Sequence, residues 1–332
     1  MKIIGIIKKI SRNIKYYHDK KDEEDSINLV DSSDSNDNEN IRIRNRLIRR
    51  ISFSFIIRFL LLIPLSIYLF IILTPIKNIQ SFIPNQLEKT KNFLIIVAHP
   101  DDECLFFSPT ILGLIYRQKV GHILVFSTGN SNGLGPIREI ELKQSCQRLG
   151  VNLSNCISLN LTDLQDNPKD WWPKEKISEI VEKYIKKFEI DLLITFDNGG
   201  ISGHLNHRSL SIGIEYYIIN SNKNIINSNK TPFIYEISTV SFLFEFSSIF
   251  DIFRTIIQFL PRLIRNLFST IFPFLFSQPN DKRILFLNSP FQYIQGLKAF
   301  HAHRSQMLWY RHIYTTFSRH MFINDLTKIS HN

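Results

Sequence analysis

Short apolar runs separated by longer amphipathic stretches recur from residue 93 to about residue 240. A short apolar run bounded by turn residues is typical of a strand buried on both faces, and apolar residues three or four apart are typical of a helix. The pattern predicts strands at 93–98, 121–127, 156–160, 191–196, 233–239 and 283–287, and helices at 104–118, 137–149, 174–188 and 204–219. This alternation predicts an α/β fold built from βαβ units around a parallel sheet.

The first ninety residues have a different pattern. Residues 1–50 contain an acidic, Ser- and Asn-rich tract followed by a cluster of arginines, and we expect this tail to be disordered. Residues 51–76 are almost wholly apolar and are long enough to cross a hydrocarbon core of about 30 Å. We predict a single N-terminal transmembrane helix at 51–76 and a linker at 77–92. A buried core helix is the alternative.

A narrow polar stripe runs through an aromatic and aliphatic segment at 245–277. The stripe residues recur three or four apart, and they are Asp251, Arg254, Gln258, Arg262, Arg265 and Ser269. A broad apolar face with a narrow cationic stripe is typical of a helix that lies in a membrane interface. We predict such an insertion within a catalytic domain at 93–325, with a buried helical hairpin as the alternative.

The composition narrows the class of partner. The chain has a net charge of +10, but its basic residues are scattered and no nucleic-acid-binding motif accompanies them. Basic residues beside apolar segments fit an anionic membrane surface better. The three cysteines, Cys104, Cys146 and Cys156, have no metal-type spacing, and their odd number predicts no disulfide framework and favours a reducing compartment.

Imidazole and carboxylate groups follow two of the predicted strands. His99, Asp101 and Asp102 come directly after the first strand, and His204 and His207 follow the fourth. Ligands bind beyond the carboxyl ends of parallel strands, so these side chains are expected at one site. Catalytic zinc takes three ligands from histidine and carboxylate side chains and leaves a position for water. We predict a metal-dependent hydrolase in which His99, one aspartate and one later histidine hold the metal.

Three motifs carry a resemblance to a known family. Residues 98–103, 195–207 and 303–311 resemble the N-acetylglucosaminylphosphatidylinositol de-N-acetylases, a branch of the zinc deacetylase superfamily. The resemblance covers about 93–240 and 282–325. It implies a Rossmann-like, mostly parallel sheet with helices on both faces.

The same resemblance implies a role for each site residue. It assigns Zn²⁺, or another divalent metal, to His99, Asp102 and His207. It makes Asp101 the general base and His204 the electrophilic partner, which we expect to be protonated.

The implied reaction is hydrolysis of N-acetylglucosaminyl-phosphatidylinositol to glucosaminyl-phosphatidylinositol and acetate, the second step of glycosylphosphatidylinositol-anchor biosynthesis. The expected partners are this glycolipid and membrane lipid. Arg138 follows a glycine-rich loop and is a candidate for binding the substrate, with a salt bridge at the helix start as the alternative. Two other functions stay open: deacetylation of another N-acetylated sugar conjugate, and an inactive membrane scaffold.

Two arguments disagree about the side of the membrane that the catalytic domain faces. The resemblance implies a single-pass protein of the endoplasmic reticulum whose catalytic domain faces the cytosol. The arginines at 42–50 outnumber the lysines that follow residue 76, and by the positive-inside rule this places the domain in the lumen. We expect the cytosolic orientation, with no glycan on the sequons at Asn152, Asn160 and Asn229.

Overall fold

The computed structural model describes residues 42–44, 46–59, 62–63, 65–66, 83–223, 231–259 and 282–329. Residues 42–44 and 46–59 are helical and exposed. Within the described ranges, the structure contains no helix that is both long and apolar enough to cross a membrane. Half of the predicted transmembrane segment lies outside these ranges, as does most of the predicted disordered tail.

A seven-stranded mixed sheet forms the centre of the domain. Its strands are β1 (Asn92–Val97), β2 (Val120–Val125), β3 (Cys156–Ser158), β4 (Leu192–Phe196), β5 (Phe233–Ile237), β6 (Arg283–Leu287) and β7 (Ile323–Lys328). Their order is β3-β2-β1-β4-β5-β7-β6. Strands β1 to β5 are parallel, and β7 is antiparallel to both of its neighbours. The predicted α/β fold is confirmed.

Helices connect most of the strands. They are α1 (Asn85–Glu88), α2 (Asp102–Leu105), α3 (Ser108–Ile115), α4 (Gly135–Arg148), α5 (Lys174–Phe188), α6 (Gly200–Gly203), α7 (Leu205–Lys223), α8 (Phe242–Glu245), α9 (Pro290–Phe300) and α10 (Trp309–Phe317). Residues 252–259 are also helical. The helix predicted at 104–118 is divided into α2 and α3, because Pro109 lacks an N–H and suits the first turn of a new helix.

Helices pack against both faces of the sheet. On one face, the ring of His122 on β2 stacks on Phe188 of α5, with 4.3 Å between ring centroids. A Cβ added to the preceding residue, Gly121, would point to the other face and would lie 3.2 Å from Ile115 of α3. Since neighbouring strand residues alternate between faces, these contacts place α5 and α3 on opposite sides.

Strand β7 is an element that the sequence analysis missed. Its second residue, Asn324, is buried, although a polar residue there obscures the apolar pattern of a strand. Asn324 Oδ1 accepts hydrogen bonds from the backbone N–H (3.1 Å) and the hydroxyl (2.7 Å) of Thr110, and its Nδ2 donates to the carbonyl of Phe106. The formation of β7 therefore depends on its contacts with the sheet and with α3 more than on the apolar pattern of its own residues.

A disulfide joins α4 to β3, contrary to the expectation from the odd number of cysteines. Cys146 and Cys156 are bonded, and Cys104 is free and buried. The two cysteines are ten positions apart in the chain, and their Cα atoms lie 6.4 Å apart because α4 packs beside the edge strand. The pairing removes the argument from free cysteines for a reducing compartment.

A buried ion pair joins the predicted membrane insertion to the C-terminal part of the domain. Asp251 Oδ2 lies 2.8 Å from Arg319 Nε, and neither side chain is exposed to solvent. Arg254 Nε lies 2.6 Å from the other oxygen of Asp251, and the hydroxyl of Thr255 donates to Asp251 Oδ2. Asp251, predicted on the interfacial stripe, is thus inside the domain. Three other stripe residues lie outside the described ranges, namely Arg262, Arg265 and Ser269.

Replacing Asp251 by Ala is expected to lower the free energy of unfolding by about 3–5 kcal/mol, because it leaves the Arg319 guanidinium buried without its carboxylate. The double variant Asp251→Leu, Arg319→Met removes both charges and is expected to lose much less. Urea unfolding followed by circular dichroism measures both. Equal losses in the single and double variants would contradict the assignment of the ion pair.

Candidate metal centre

The site lies at the carboxyl edge of the sheet, between β1 and β4. From β1 the chain proceeds outward to β2 and β3, and it then returns to the other side of β1 to form β4 and β5. The loops after β1 and β4 therefore diverge and leave a crevice between them, which is where open α/β sheets bind ligands.

Three imidazoles meet in this crevice. Nitrogen atoms of His99, His204 and His207 lie within 4.8 Å of one another. The ring centroids of His99 and His204 are 4.9 Å apart, and those of His204 and His207 are 5.2 Å apart. His99 and His207 are buried, whereas His204 is partly exposed. Imidazole nitrogens at these separations can hold a divalent transition metal.

The ring of His207 is fixed in one orientation. Its Nδ1 lies 3.0 Å from the carbonyl oxygen of Gly200, and its ring stacks on Phe196 with 4.2 Å between centroids. A hydrogen bond from Nδ1–H to this carbonyl leaves the lone pair of Nε2 free for a metal. Gly200 has a φ of +61°, and a Cβ there would lie 2.9 Å from the Cβ of His207, so glycine allows the close approach.

Asp102 lies beside the imidazoles in its ionised form. Its Oδ2 is 3.3 Å from His207 Nε2 and 3.8 Å from His99 Nδ1. The same oxygen accepts hydrogen bonds from the backbone N–H groups of Ala98 and His99, at 3.1 and 2.9 Å. Burial opposes ionisation, but His207 and His99 hold the pKa of Asp102 well below its usual range. The structure thus brings the predicted ligands His99, Asp102 and His207 together, with His204 alongside.

Asp101 lies between two guanidinium groups. Arg311 Nη2 donates to its Oδ2 at 3.1 Å, and Arg138 Nη2 lies 3.5 Å from its Oδ1. Burial raises the pKa of Asp101 above its ordinary value, although Arg311 and Arg138 oppose this effect. A buried carboxylate with a raised pKa is suited to accept a proton at neutral pH.

The backbone of Asp101 is in the left-handed region, with a φ of 108°. Glu103 holds this turn, because its Oε2 accepts a hydrogen bond from the backbone N–H of Asp101 at 2.9 Å. Its Oε1 lies 2.7 Å from His303 Nε2 and accepts the hydroxyl of Ser145 at 2.5 Å. Burial opposes ionisation, but His303 and Ser145 lower the pKa of Glu103. Glu103 therefore supports the turn that carries Asp101.

Arg138 is a buried brace for the loop after β1. It donates from Nη2 to the carbonyl of Pro100 at 2.5 Å and from Nη1 to the carbonyl of Gly129 at 3.1 Å. Its guanidinium also lies between Asp101 and Asp166, with Nη1 3.9 Å from Asp166 Oδ2. These contacts fit the salt-bridge alternative for Arg138 better than direct binding of substrate.

Sequence reasoning assigned no role to Asp166 or to Arg311, although Arg311 ends the third motif. Asp166 Oδ1 lies 3.1 Å from His99 Nε2. Burial opposes ionisation, but the hydrogen bond to His99 lowers the pKa of Asp166 to about 2. Asp166 follows β3, so its place after a strand end is a signal that could have identified it. Arg311 reaches Asp101 from α10, 210 residues along the chain, and no local pattern predicts that contact.

The environment of His204 corrects one expectation. Burial and the neighbouring His99 and His207 lower the pKa of His204 to about 4, so the ring is neutral at pH 7 rather than protonated. Its Nδ1 accepts a hydrogen bond from the backbone N–H of Asn206 at 3.2 Å. The proton of the neutral ring is therefore on Nε2, and His204 remains a hydrogen-bond donor.

The fold and the site define a hydrolase of the α/β class with a candidate metal centre at the carboxyl edge of its sheet. The sequence model described as "PIG-L: GlcNAc-PI de-N-acetylase" matches residues 94–217. The N-acetylglucosaminyl-phosphatidylinositol de-N-acetylase of Bos taurus is 32% identical over 236 residues, which cover 70% of this chain and 81% of the relative. The chain belongs to the N-acetylglucosaminyl-phosphatidylinositol de-N-acetylase family.

Other comparisons give similar coverage. A probable N-acetylglucosaminyl-phosphatidylinositol de-N-acetylase of Dictyostelium discoideum is 31% identical over 261 residues, covering 72% of this chain and 93% of the relative. Among solved structures, the N,N'-diacetylchitobiose deacetylase from Pyrococcus horikoshii, in complex with its inhibitor, is 16% identical and has a TM-score of 0.47. The match covers 74% of this chain and 86% of that one.

Replacing His99 or His207 by Ala is expected to abolish stoichiometric metal binding, because each change removes a buried imidazole from the cluster. Asp101→Asn is expected to retain the metal, since its carboxylate pairs with arginines. Mass spectrometry of metal content in purified protein measures these outcomes, with the exposed His301→Ala as the control. Loss of metal in Asp101→Asn together with its retention in Asp102→Ala would reverse the roles of the two aspartates.

Proposed function

We propose that this chain hydrolyses the acetamide of N-acetylglucosaminyl-phosphatidylinositol, giving glucosaminyl-phosphatidylinositol and acetate in the second step of glycosylphosphatidylinositol-anchor biosynthesis. The observation that carries the proposal is the buried Asp101 beside a cluster of three imidazoles, in a chain of this family. The names of its relatives supply the substrate.

We propose that His99, Asp102 and His207 hold Zn²⁺ or another divalent metal. The donor chemistry supports this assignment, because it combines two buried imidazoles with a carboxylate whose pKa is low. The hydrogen bond from His207 to the carbonyl of Gly200 is the kind of outer contact that orients metal-binding histidines. A bound metal supplies Lewis-acid activation of a water molecule and of the acetamide carbonyl.

Asp101 is the proposed acid–base group. It takes a proton from the water that attacks the acetamide carbon, and it returns the proton to the nitrogen as the C–N bond breaks. The water oxygen leaves in acetate, and the sugar keeps a free amine. Arg311 and Arg138 each contact one oxygen of Asp101 and so hold the carboxylate in one orientation. A positioned base of this kind typically contributes about 10²–10⁴-fold to the rate.

His204 is the proposed donor to the oxyanion that forms as water adds to the carbonyl. Because the ring is neutral and carries its proton on Nε2, it can donate a hydrogen bond without first being protonated. One donor of this type is typically worth ~3 kcal/mol of transition-state stabilisation.

The test is release of radiolabelled acetate from N-acetylglucosaminyl-phosphatidylinositol by metal-reconstituted protein, with and without chelator. Asp101→Asn is expected to lower kcat by about 10²–10⁴-fold while the metal stays bound, because the base is lost. Arg311→Ala is expected to lower kcat, with partial recovery in Arg311→Lys, which keeps a cation near Asp101. Retention of full activity in Asp101→Asn would contradict the mechanism, and the exposed His301→Ala is the control.

We also propose that residues 51–76 anchor the chain in the endoplasmic reticulum membrane, that 245–277 lies in its interface, and that the catalytic domain faces the cytosol. Exposed apolar side chains support the interfacial placement: Phe250, Phe253 and Ile257 are 41%, 50% and 54% exposed.

The family resemblance supports the cytosolic orientation of the catalytic domain. The Cys146–Cys156 disulfide and the arginines at 42–50 argue for the lumen, so this orientation needs a direct test.

Glycosylation supplies that test. Asn152 and Asn160 are exposed in the structure, so both sequons would be open to glycosylation in the lumen. For a cytosolic domain, the full-length membrane protein is expected to show no mass shift on endoglycosidase treatment. A shift that disappears in Asn152→Gln, Asn160→Gln would place the domain in the lumen.

A further inference from the structure

Helix α10 has two chemically different faces. Its outer face exposes four large apolar or aromatic side chains. Trp309 is 76% exposed, Tyr310 45%, Ile313 46% and Phe317 51%. Residues 309, 313 and 317 are four apart and form one stripe along the helix. The opposite side carries Arg311, which reaches into the site, and the buried Thr315.

The apolar face of α10 continues onto α8. Phe242 and Leu243 of α8 are 72% and 80% exposed. The two segments are in contact, since the ring centroids of Phe246 and Tyr314 lie 5.9 Å apart and the hydroxyl of Ser248 donates to the carbonyl of Thr316 at 3.4 Å. Together these helices present one apolar surface, which we name the α8–α10 face. Exposed apolar residues on a soluble monomer are usually scattered singly, whereas here they are grouped on two neighbouring helices.

This face borders the catalytic crevice. Arg311, two residues after Trp309 on the same helix, donates to Asp101 Oδ2 at 3.1 Å. Only about half a turn of α10 therefore separates Trp309 from the residue that holds the proposed base.

We infer that the α8–α10 face docks onto the surface of a phospholipid bilayer and brings the crevice to the lipid–water interface. The inference rests on the proposed function, because it explains how the site reaches a lipid substrate. Trp and Tyr rings favour the headgroup level of a bilayer, where one side is apolar and the other is hydrated. The charge is complementary as well, since Arg304 is exposed and residues 301–319 contain no acidic residue, whereas phosphatidylinositol headgroups are anionic.

Fluorescence quenching tests the docking directly. The full chain is reconstituted into phosphatidylcholine–phosphatidylinositol vesicles whose acyl chains carry bromine near the headgroup, and the wild type is compared with Trp309→Phe. If the face docks, the bromine is expected to quench a component of the wild-type tryptophan fluorescence that Trp309→Phe lacks. The control Ile219→Trp, made in the Trp309→Phe background, adds a ring at an exposed position on α7 and is expected to show no added quenching. An unquenched Trp309, whether open to water or covered by protein, would overturn the inference.

Kinetics give a second measurement that separates docking from catalysis. For Trp309→Glu, Phe317→Glu, the ratio of kcat/KM on vesicle-embedded substrate to kcat/KM on its water-soluble headgroup is expected to fall at least about tenfold. The same ratio is expected to stay constant in Ile219→Glu. A constant ratio in the double variant would refute docking. Failure of the wild type on both substrates would refute the proposed function, and the quenching result would still decide whether the face docks.

Discussion

The site depends on one strained turn and on the buried ion pair that holds it. Asp101 has a φ of 108°, a conformation that costs roughly 1–3 kcal/mol for a residue with a side chain. Glu103 offsets this cost by accepting the backbone N–H of Asp101, and His303 in turn fixes Glu103 at 2.7 Å. Because of this turn, Asp101 faces two arginines while Asp102 faces the imidazoles.

The two adjacent aspartates show how the surroundings decide the role of a side chain. Burial raises the pKa of Asp101, whereas His207 and His99 hold that of Asp102 below its usual range. Groups whose pKa values are moved in opposite directions are suited to different tasks, here proton transfer and metal binding. Arg311 adds a further level of organisation, since the helix that carries it also carries the exposed ring of Trp309. The arginine that orients the base and the proposed lipid contact thus share one short rigid element.

The sequence by itself determined the α/β class, the five parallel strands, and the two strand ends that supply His99, Asp101, Asp102, His204 and His207. Local patterns suffice for these features, because a buried strand is a continuous apolar run and the site residues follow directly at its end. Family membership was also visible in short motifs, which the comparisons confirm.

Only the tertiary structure decided the features that join distant parts of the chain. The mixed sheet depends on β7, whose polar residue Asn324 is satisfied by Thr110 across 214 residues. The Cys146–Cys156 disulfide, the contact between Asp166 and His99, and the neutral state of His204 likewise depend on neighbours brought close by folding. Burial, pKa and ion pairing are properties of the surroundings of a group, and those surroundings exist only after distant segments have packed together.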